Sequence, residues 1–473
     1  MKYIDDFLNS VTMYRLVLYV LSFFLAVAIV LSFLKLLPFD PINLVVSTAV
    51  LITVCWFSNK VFSKIFNAPA NLESNYITAF ILTLIITPPN NLHDFLVLGF
   101  VGILSQASKY VLAINKKHIF NPAALAAFFA AVVLKNPASW WIGNQYMLIP
   151  VLFGGLLIVR KVRRISLVLT FLIVYAFFAG PQIVQTILES PIFFFAFIML
   201  TEPQTTPPAK ILQIVYGVLV GIGTFYQTPE IALLLGNIFS YVVSPKEKLF
   251  LKLKEKIQIA PETYDFIFER SSKFVYLPGQ YMEWTLGLSN PDTRGNRRYF
   301  TLAASPTEEN LRIGVKFYPN GSSFKKALLD LPKNGQIVAS SLSGEFILPK
   351  NLNQKLCFIA GGIGITPFRS MVKYLLDSNE KRDIILFYSG KTQQDFVYKD
   401  IFEKANQLGV QTVYVATDKM GYIDEKMIRE KVPDFKDRIF YISGPHSLVD
   451  AFEKTLKEMG VKNIKVDFFP GYA

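Results

Sequence analysis

The charge in this chain is divided so unevenly that its two halves cannot share one solvent. Of 48 Lys and Arg and 35 Asp and Glu in 473 residues, residues 1–245 hold only 14 and 8, which leaves 34 and 27 for the rest. The first part therefore reads as membrane-embedded, and the second is long enough for one or two soluble domains. With 52% hydrophobic residues and 18% charged, both an ordinary cytosolic enzyme and a disordered chain are excluded.

Residues 14–37 are apolar for long enough to cross about 30 Å of hydrocarbon. They follow Asp5-Asp6 without a small-residue cleavage site, which predicts a retained helix. Further apolar stretches near 42–58, 76–87, 92–107, 121–134, 146–159, 165–179, 191–200, 209–226 and 230–243 bring the expected spans to ten. With a cytoplasmic N-terminus, Lys60, Lys64, Lys109, Lys116, Lys117, Arg160, Lys161, Arg163, Arg164 and Lys210 fall on cytoplasmic connections. Only Lys35 and Lys135 face the other side, an asymmetry that the positive-inside rule requires. Ten spans return the chain to the cytoplasm, where the Lys-rich segment 246–256 begins the soluble half.

Residues 79–90 and 196–208 are apolar half-spans broken by prolines. Each is followed by a full span and then by a segment opening with Asn121-Pro122 or Thr228-Pro229, a pattern of two five-span repeats in opposite orientations. Broken helices in inverted repeats leave helix ends near the bilayer midplane, where they can hold ligands. Asn121, Thr201, Glu202, Thr205 and Thr206 are the candidate residues for such a site. Asn121-Pro122 and Thr228-Pro229 serve equally as plain helix starts. His118 reads as a solvated loop residue, and Glu202 either as functional or as the partner of Lys210.

Lys109, the run His118-Ile119-Phe120-Asn121-Pro122-Ala123 and the run Thr201-Glu202-Pro203-Gln204-Thr205-Thr206-Pro207 resemble the NqrB/RnfD family, the flavin-carrying membrane proteins of the sodium-pumping NADH:quinone reductase and of the Rnf complex. The resemblance covers most of residues 40–243. It implies a flavin held covalently through a Thr in a Ser-Gly-Ala-Thr motif, but this chain has no such motif. A noncovalent FMN or riboflavin, a quinone, or a site without its ligand stay open.

From about 250 the pattern changes to short alternating segments. Residues 252–260, 264–270, 280–286, 311–318 and 335–342 read as strands of an antiparallel β-barrel. After 355, apolar strands at 355–360, 383–389, 411–417, 438–443 and 464–469 alternate with helical segments, which predicts a doubly wound α/β domain.

Arg298-Tyr299-Phe300-Thr301, preceded by Pro278-Gly279-Gln280-Tyr281 and followed by Gly321-Ser322-Ser323, carries separable chemistry. An Arg offers a fixed fork of donors to a pyrophosphate. An aromatic at 300 can lie against a flat ring, the Thr301 hydroxyl can hydrogen-bond that ring, and a Gly-Ser-Ser turn opening a helix suits a phosphate. The segment Gly361-Gly362-Ile363-Gly364-Ile365-Thr366-Pro367, between an apolar strand and a helix, lets backbone approach a second pyrophosphate. Together with Ser443-Gly444-Pro445 and the closing Phe468-Phe469-Pro470-Gly471-Tyr472, these segments resemble the ferredoxin–NADP reductase family over essentially all of 250–473.

The resemblance implies FAD held by Arg298, Tyr299, Phe300, Thr301, Gly321, Ser322 and Ser323. It implies NADH or NADPH held by Gly361, Gly362, Gly364, Thr366, Pro367, Gly444 and Pro445. It makes Thr301, Ser443 and Tyr472 the residues at the reacting rings, with Phe469 in the aromatic segment that covers the flavin. Phe300 stands where the family most often has Tyr, and Ser443 where it usually has Cys. A bulky side chain at Gly364 is expected to block the nucleotide and leave FAD bound. Lys391 is a candidate contact to a ribose 2′ phosphate.

Two cysteines cannot hold a plant-type iron–sulfur cluster, and three histidines cannot hold two bis-imidazole haems. No metal site is expected. The net charge of +13 is not gathered into a nucleic-acid surface. The expected organisation is a ten-span, all-α membrane domain over 1–245, a β-barrel FAD domain over 246–350 and an α/β NAD(P) domain over 351–473. The function it implies is oxidation of NAD(P)H at the cytoplasmic face of the cell membrane. Electrons would pass through FAD to a second flavin or quinone among membrane lipid, in a step able to drive ion movement. The alternatives are a transporter or channel regulated by its reductase module, and one component of a larger complex whose other membrane proteins supply further redox centres.

Overall fold

The computed structural model describes residues 4, 7–8, 11–66, 72–114, 117–182, 188, 190–244, 248–270, 274–288, 292 and 294–467. They form two compact units, one on residues up to 248 together with 292 and 294–296, the other on 249–288 and from 297 onward.

The first unit is helical. Its segments are α1 (Met13–Phe33), α2 (Pro41–Ile65), α3 (Leu72–Ile85), α4 (Leu92–Val111), α5 (Pro122–Val133), α6 (Gln145–Val162), α7 (Ile165–Ala179), α8 (Ile192–Phe194, continued by a π-helical Phe195–Met199), α9 (Lys210–Tyr226) and α10 (Pro229–Val243). Each of the ten apolar stretches in the sequence falls on one of these segments. Met13–Phe33, Pro41–Ile65 and Gln145–Val162 are long and apolar enough to cross a membrane.

Local chemistry sets the helix starts. The Asp40 side chain accepts from Ile42 N–H at 2.7 Å ahead of Pro41, and Asn121 accepts from Ala124 N–H at 3.0 Å ahead of Pro122. The broken helices find partners for their last carbonyls, as buried backbone groups require. Trp141 donates its indole N–H to Thr83 O and Ile86 O, and Trp140 N–H donates to Ile85 O at 2.8 Å. At the end of α8, Thr201 Oγ1 donates to Phe197 O and Thr206 Oγ1 to Leu200 O. Phe24, Leu44, Leu51, Phe171, Phe195 and Tyr216 are among the fully buried side chains.

The second unit holds two sheets. Six antiparallel strands, β1 (Leu249–Ala260), β2 (Thr263–Glu269), β3 (Tyr281–Thr285), β4 (Arg297–Thr301), β5 (Leu311–Lys316) and β6 (Gln336–Ser343), run in the order β4-β3-β6-β1-β2-β5. Ala303 N–H donates to Arg312 O at 2.8 Å, so the two edge strands meet where the sheet curls round. Leu249, Leu251 and Leu253 point inward while Lys252 and Lys254 face water, the period-two pattern of a half-buried strand. Inside lie Phe266, Phe268, Trp284 and Phe324, the last from helix α11 (Ser323–Leu329).

Five parallel strands follow: β7 (Leu356–Gly361), β8 (Ile384–Gly390), β9 (Val410–Ala416), β10 (Ile439–Ser443) and β11 (Ile464–Val466), in the order β9-β8-β7-β10-β11. β7 is buried along its whole length, as a central parallel strand must be. Helices α12 (Thr366–Ser378), α13 (Lys399–Lys404), α14 (Glu425–Lys431) and α15 (His446–Glu458) belong to the same half. Arg297–Thr301 is a strand that the sequence reading did not anticipate. Its two adjacent arginines hide it in the sequence, whereas in the fold Arg298 and Tyr299 are both buried.

Candidate functional site

The parallel sheet reverses its strand order between β7 and β10, and open sheets of this type take ligands in the crevice outside the carboxyl ends at such a point. Here β7 turns through Gly362–Ile365 into α12, with Pro367 in the first turn and Thr366 Oγ1 donating to Ile363 O at 3.2 Å. Gly362 has φ +53° with open space where a Cβ would stand. Gly364 differs, because its Cβ would lie 2.5 Å from Ser443 O and 2.6 Å from Gly444 N. Gly444 packs on Gly361, and a Cβ on Gly361 would meet Leu448 at 2.6 Å and Pro445 at 3.2 Å. A side chain at Gly364 would therefore meet the Ser443–Gly444 backbone. Gly364 is small so that two backbone loops can touch, and Gly362 is the position with an open approach.

Three side chains converge beside these loops. Ser443, at the end of β10, donates its hydroxyl to Asp467 Oδ2 at 3.0 Å. Asp467 follows β11 and is held by its own N–H to Ile442 O at 2.9 Å. The Thr301 hydroxyl, at the end of β4, lies beside this carboxyl, whose buried Oδ1 has no hydrogen-bond partner among the described residues. Burial pushes Asp467 up to about 7, against the two hydroxyls, which favour its charge. Thr301 and Ser443 were expected from sequence, whereas Asp467 was missed.

On β4, Arg298 is 1% exposed, with its guanidinium 5.3 Å from the centroid of the Phe324 ring. Phe300 lies 6.1 Å from the same ring. Tyr299 departs from expectation as a cofactor residue: its hydroxyl donates to Glu283 Oε2 at 2.9 Å and its ring packs edge-on against Tyr281. Strand alternation turns it away from its neighbours 298 and 300. Gly321 closes a turn on Tyr318 O, and Ser322 caps α11 by accepting from Lys325 N–H at 3.2 Å, with Ser323 opening the helix. The Lys391 carbonyl accepts from Asp418 N–H, which ties the ends of β8 and β9. Phe469 and Tyr472 lie outside the described residues.

In the helical unit, Glu202 accepts from Asn121 Nδ2 at 2.8 Å and Thr205 Oγ1 at 3.0 Å, and faces His118 Nε2 at 3.9 Å. His118 was expected to be a solvated loop residue. It is instead half-buried at the end of a two-residue ribbon that turns it to the carboxylate. Asn237 accepts from Asn121 N–H at 2.8 Å and donates to Tyr216 OH at 3.1 Å, which joins α5, α9 and α10. Thr201 and Thr206 satisfy carbonyls of the broken helix. A cleft lined by Tyr14, Ser74, Thr78, Asn121, Thr201 and Glu202 opens beside them. No cluster of metal-ligating side chains occurs among the described residues.

Residues 358–454 match the family described as Oxidoreductase NAD-binding domain. Flavohemoprotein A of Dictyostelium discoideum is 29% identical over 210 residues, which are 41% of this chain and 52% of that protein. The glycine betaine monooxygenase reductase subunit of Chromohalobacter salexigens is 24% identical over 222 residues, 43% of this chain and 60% of that one. A solved ferredoxin–NADP+ reductase from Plasmodium falciparum superposes with TM-score 0.41 and 23% identity, over 47% of this chain and 97% of its own. The chain spans about half the length of the first curated relatives it matches. The matched family thus places an oxidoreductase NAD-binding domain in the C-terminal half of the chain.

Proposed function

We propose that this chain is a membrane-bound NAD(P)H-oxidising flavoprotein, with FAD and NADH or NADPH in the second unit and an electron acceptor in or across the first. The observation that carries the reading is the meeting of Thr301 from the antiparallel sheet with Ser443 and Asp467 from the switch point, beside a glycine loop with an open approach at Gly362.

The residues fit a flavin dinucleotide. Arg298 is a fixed fork of donors braced by the Phe324 ring, suited to the pyrophosphate. Phe300 offers a ring face, Thr301 a hydroxyl to the flavin edge, and Gly321, Ser322 and Ser323 a capped turn for phosphate or ribityl oxygens. For the nicotinamide nucleotide, Gly361, Gly362, Gly364, Thr366 and Pro367 form the pyrophosphate turn, with Gly444 and Pro445 as the facing wall. Bound FAD would supply the chemistry, accepting a hydride from the nicotinamide and releasing electrons one at a time. Ser443 and Thr301 orient the reacting rings. Asp467, titrating near neutrality, holds or yields a proton through the Ser443 hydroxyl. The C-terminal Phe469 and Tyr472 would cover the flavin.

The ten helical segments are read as ten spans of the cell membrane, with the N-terminus and the reductase unit cytoplasmic. Support comes from three helices long enough to cross and from the one-sided placement of Lys and Arg. The acceptor is a second flavin, as noncovalent FMN or riboflavin, or a quinone, and its reduction is coupled to ion movement. Asn121 and Glu202 line the cleft for it. Releasing and identifying the flavins per purified full-length chain tests the reading. One FAD, with or without a second flavin, supports it, and a flavin-free chain that takes up no added FAD overturns it.

A further inference from the structure

Two packed domains of one chain are expected to move relative to each other unless something fixes their seam. In the second unit the seam between the antiparallel and parallel sheets is crossed by one unbroken series of charges and rings, Glu308–Arg369–Tyr398–Asp265–Arg312.

Arg369 stands in the first turn of α12, three residues past Thr366, and its side chain is 4% exposed. It donates Nη1 to Ala303 O at 2.7 Å and to Glu308 Oε2 at 2.6 Å, and Nη2 to Glu308 Oε1 at 2.9 Å. Its guanidinium lies 5.2 Å from the centroid of the Tyr398 ring. Beside it, Ser370 Oγ donates to Ala304 O at 2.7 Å. Ala303 and Ala304 lie two and three residues past Thr301, the end of its strand, so one turn of helix grips the flavin strand just beyond its reactive end.

Tyr398 continues the series. Its hydroxyl donates to Asp265, which is fully buried and also paired with Arg312 on β5. Tyr398 holds a left-handed backbone at φ +59°, a costly conformation for an aromatic residue that persists only where surroundings impose it. The same strand touches the glycine loop, since a Cβ on Gly314 would lie 2.8 Å from Tyr398 OH, 2.9 Å from Thr366 and 3.1 Å from Ile363. Burial opposes charge on Glu308, but Arg369 outweighs it and holds the carboxyl below its usual range. Burial and then the Asp265 charge hold the Tyr398 phenol far above its usual value, so it stays a donor.

We propose that Arg369, clamped by Glu308 and backed by Tyr398, is a positioning residue that fixes the spacing between the Thr301 strand and the glycine loop. On the functional reading above, on which this inference rests, that is the gap the hydride crosses. A bidentate buried pair is directional, and such pairs are better at fixing a geometry than at adding stability. Small misplacements at a reacting centre cost rate steeply, about 100-fold for 1 Å.

The experiment uses the full-length protein in detergent with three variants, Arg369→Met, Glu308→Gln and the charge-swapped Arg369→Glu/Glu308→Arg. The expected result for Arg369→Met is a fall of about 10–100-fold in flavin reduction at saturating nucleotide. FAD per chain and nucleotide KM stay within about twofold. Glu308→Gln shifts the rate the same way, and the swapped pair recovers part of it. A wild-type rate in Arg369→Met, a raised KM with unchanged kcat, or a swapped pair no better than the single variants overturns the proposal. If Arg369→Met fails to fold, Glu308→Gln decides on the same readouts. If neither nucleotide reduces the wild-type flavin, the functional reading falls. Calorimetry then tests the clamp alone: one joint unfolding step in wild type that splits in Glu308→Gln supports it, and an unsplit step overturns it.

Discussion

Replacing Gly364 by Ala inserts one methyl group where backbone meets backbone. The new Cβ would lie 2.5 Å from Ser443 O, 2.6 Å from Gly444 N and 2.6 Å from Ser443 C, all closer than real Cβ atoms come. No flexible side chain can yield, so the Ser443–Gly444 loop itself must move. Overpacking costs about 1–3 kcal/mol, and contact with three backbone atoms puts this case near 2–3 kcal/mol. For a unit of this size the melting temperature falls by about 4–12 °C. Ser443 is displaced from Asp467 with it, so flavin reduction slows by about tenfold. Gly362→Ala is the control: it meets nothing, and carries only the left-handed backbone cost of about 1–2 kcal/mol. The assay heats full-length protein and follows flavin fluorescence as the cofactor is released. A Gly364→Ala variant that melts with wild type, or no lower than Gly362→Ala, refutes the view that these loops close on each other through Gly364.

Thr301→Ala removes a hydroxyl from the expected flavin edge, and should lower FAD retained through gel filtration while the fold, read by circular dichroism, is kept. Asp467 has its folded pKa raised to about 7, above its ordinary value, so its contribution to stability is full below about pH 4 and lost as pH rises through 7. Asp467→Asn should therefore flatten the pH 4–8 slope of melting temperature relative to wild type, and an unchanged slope would show that the group is not buried as described. Asn237→Leu strands the buried Asn121 N–H and Tyr216 OH. It should cost about 1–3 kcal/mol, read as a lower melting temperature in detergent.

The sequence was most readable where backbone chemistry is local. The glycine turn after β7, the five parallel strands and the ten apolar helices follow from periodicity, and Asn121-Pro122 and Thr228-Pro229 do open helices. Residues whose meaning depends on distant partners were harder to read. Asp467 sits in a short unremarkable strand end, and only folding brings Ser443 and Thr301 to it. Arg369 looks like any helix-surface arginine until Glu308 and Ala303 close over it. His118 looked solvated because its sequence neighbours are lysines, whereas the ribbon turns it to Glu202. A glycine motif shows that backbone approaches something, and only the fold shows that at Gly364 one such neighbour is the Ser443–Gly444 loop. A signal was available for Asp467, an isolated acid just past the last apolar strand, where the switch-point crevice collects side chains.

The central claim is that nicotinamide nucleotide reduces a flavin held by residues 249–467. It is tested most directly by mixing purified full-length protein with NADH or NADPH under anaerobic conditions while following flavin absorbance. The account predicts stoichiometric bleaching by at least one nucleotide, and slowed bleaching in Gly364→Ala. A flavin-loaded protein that neither nucleotide bleaches would contradict it.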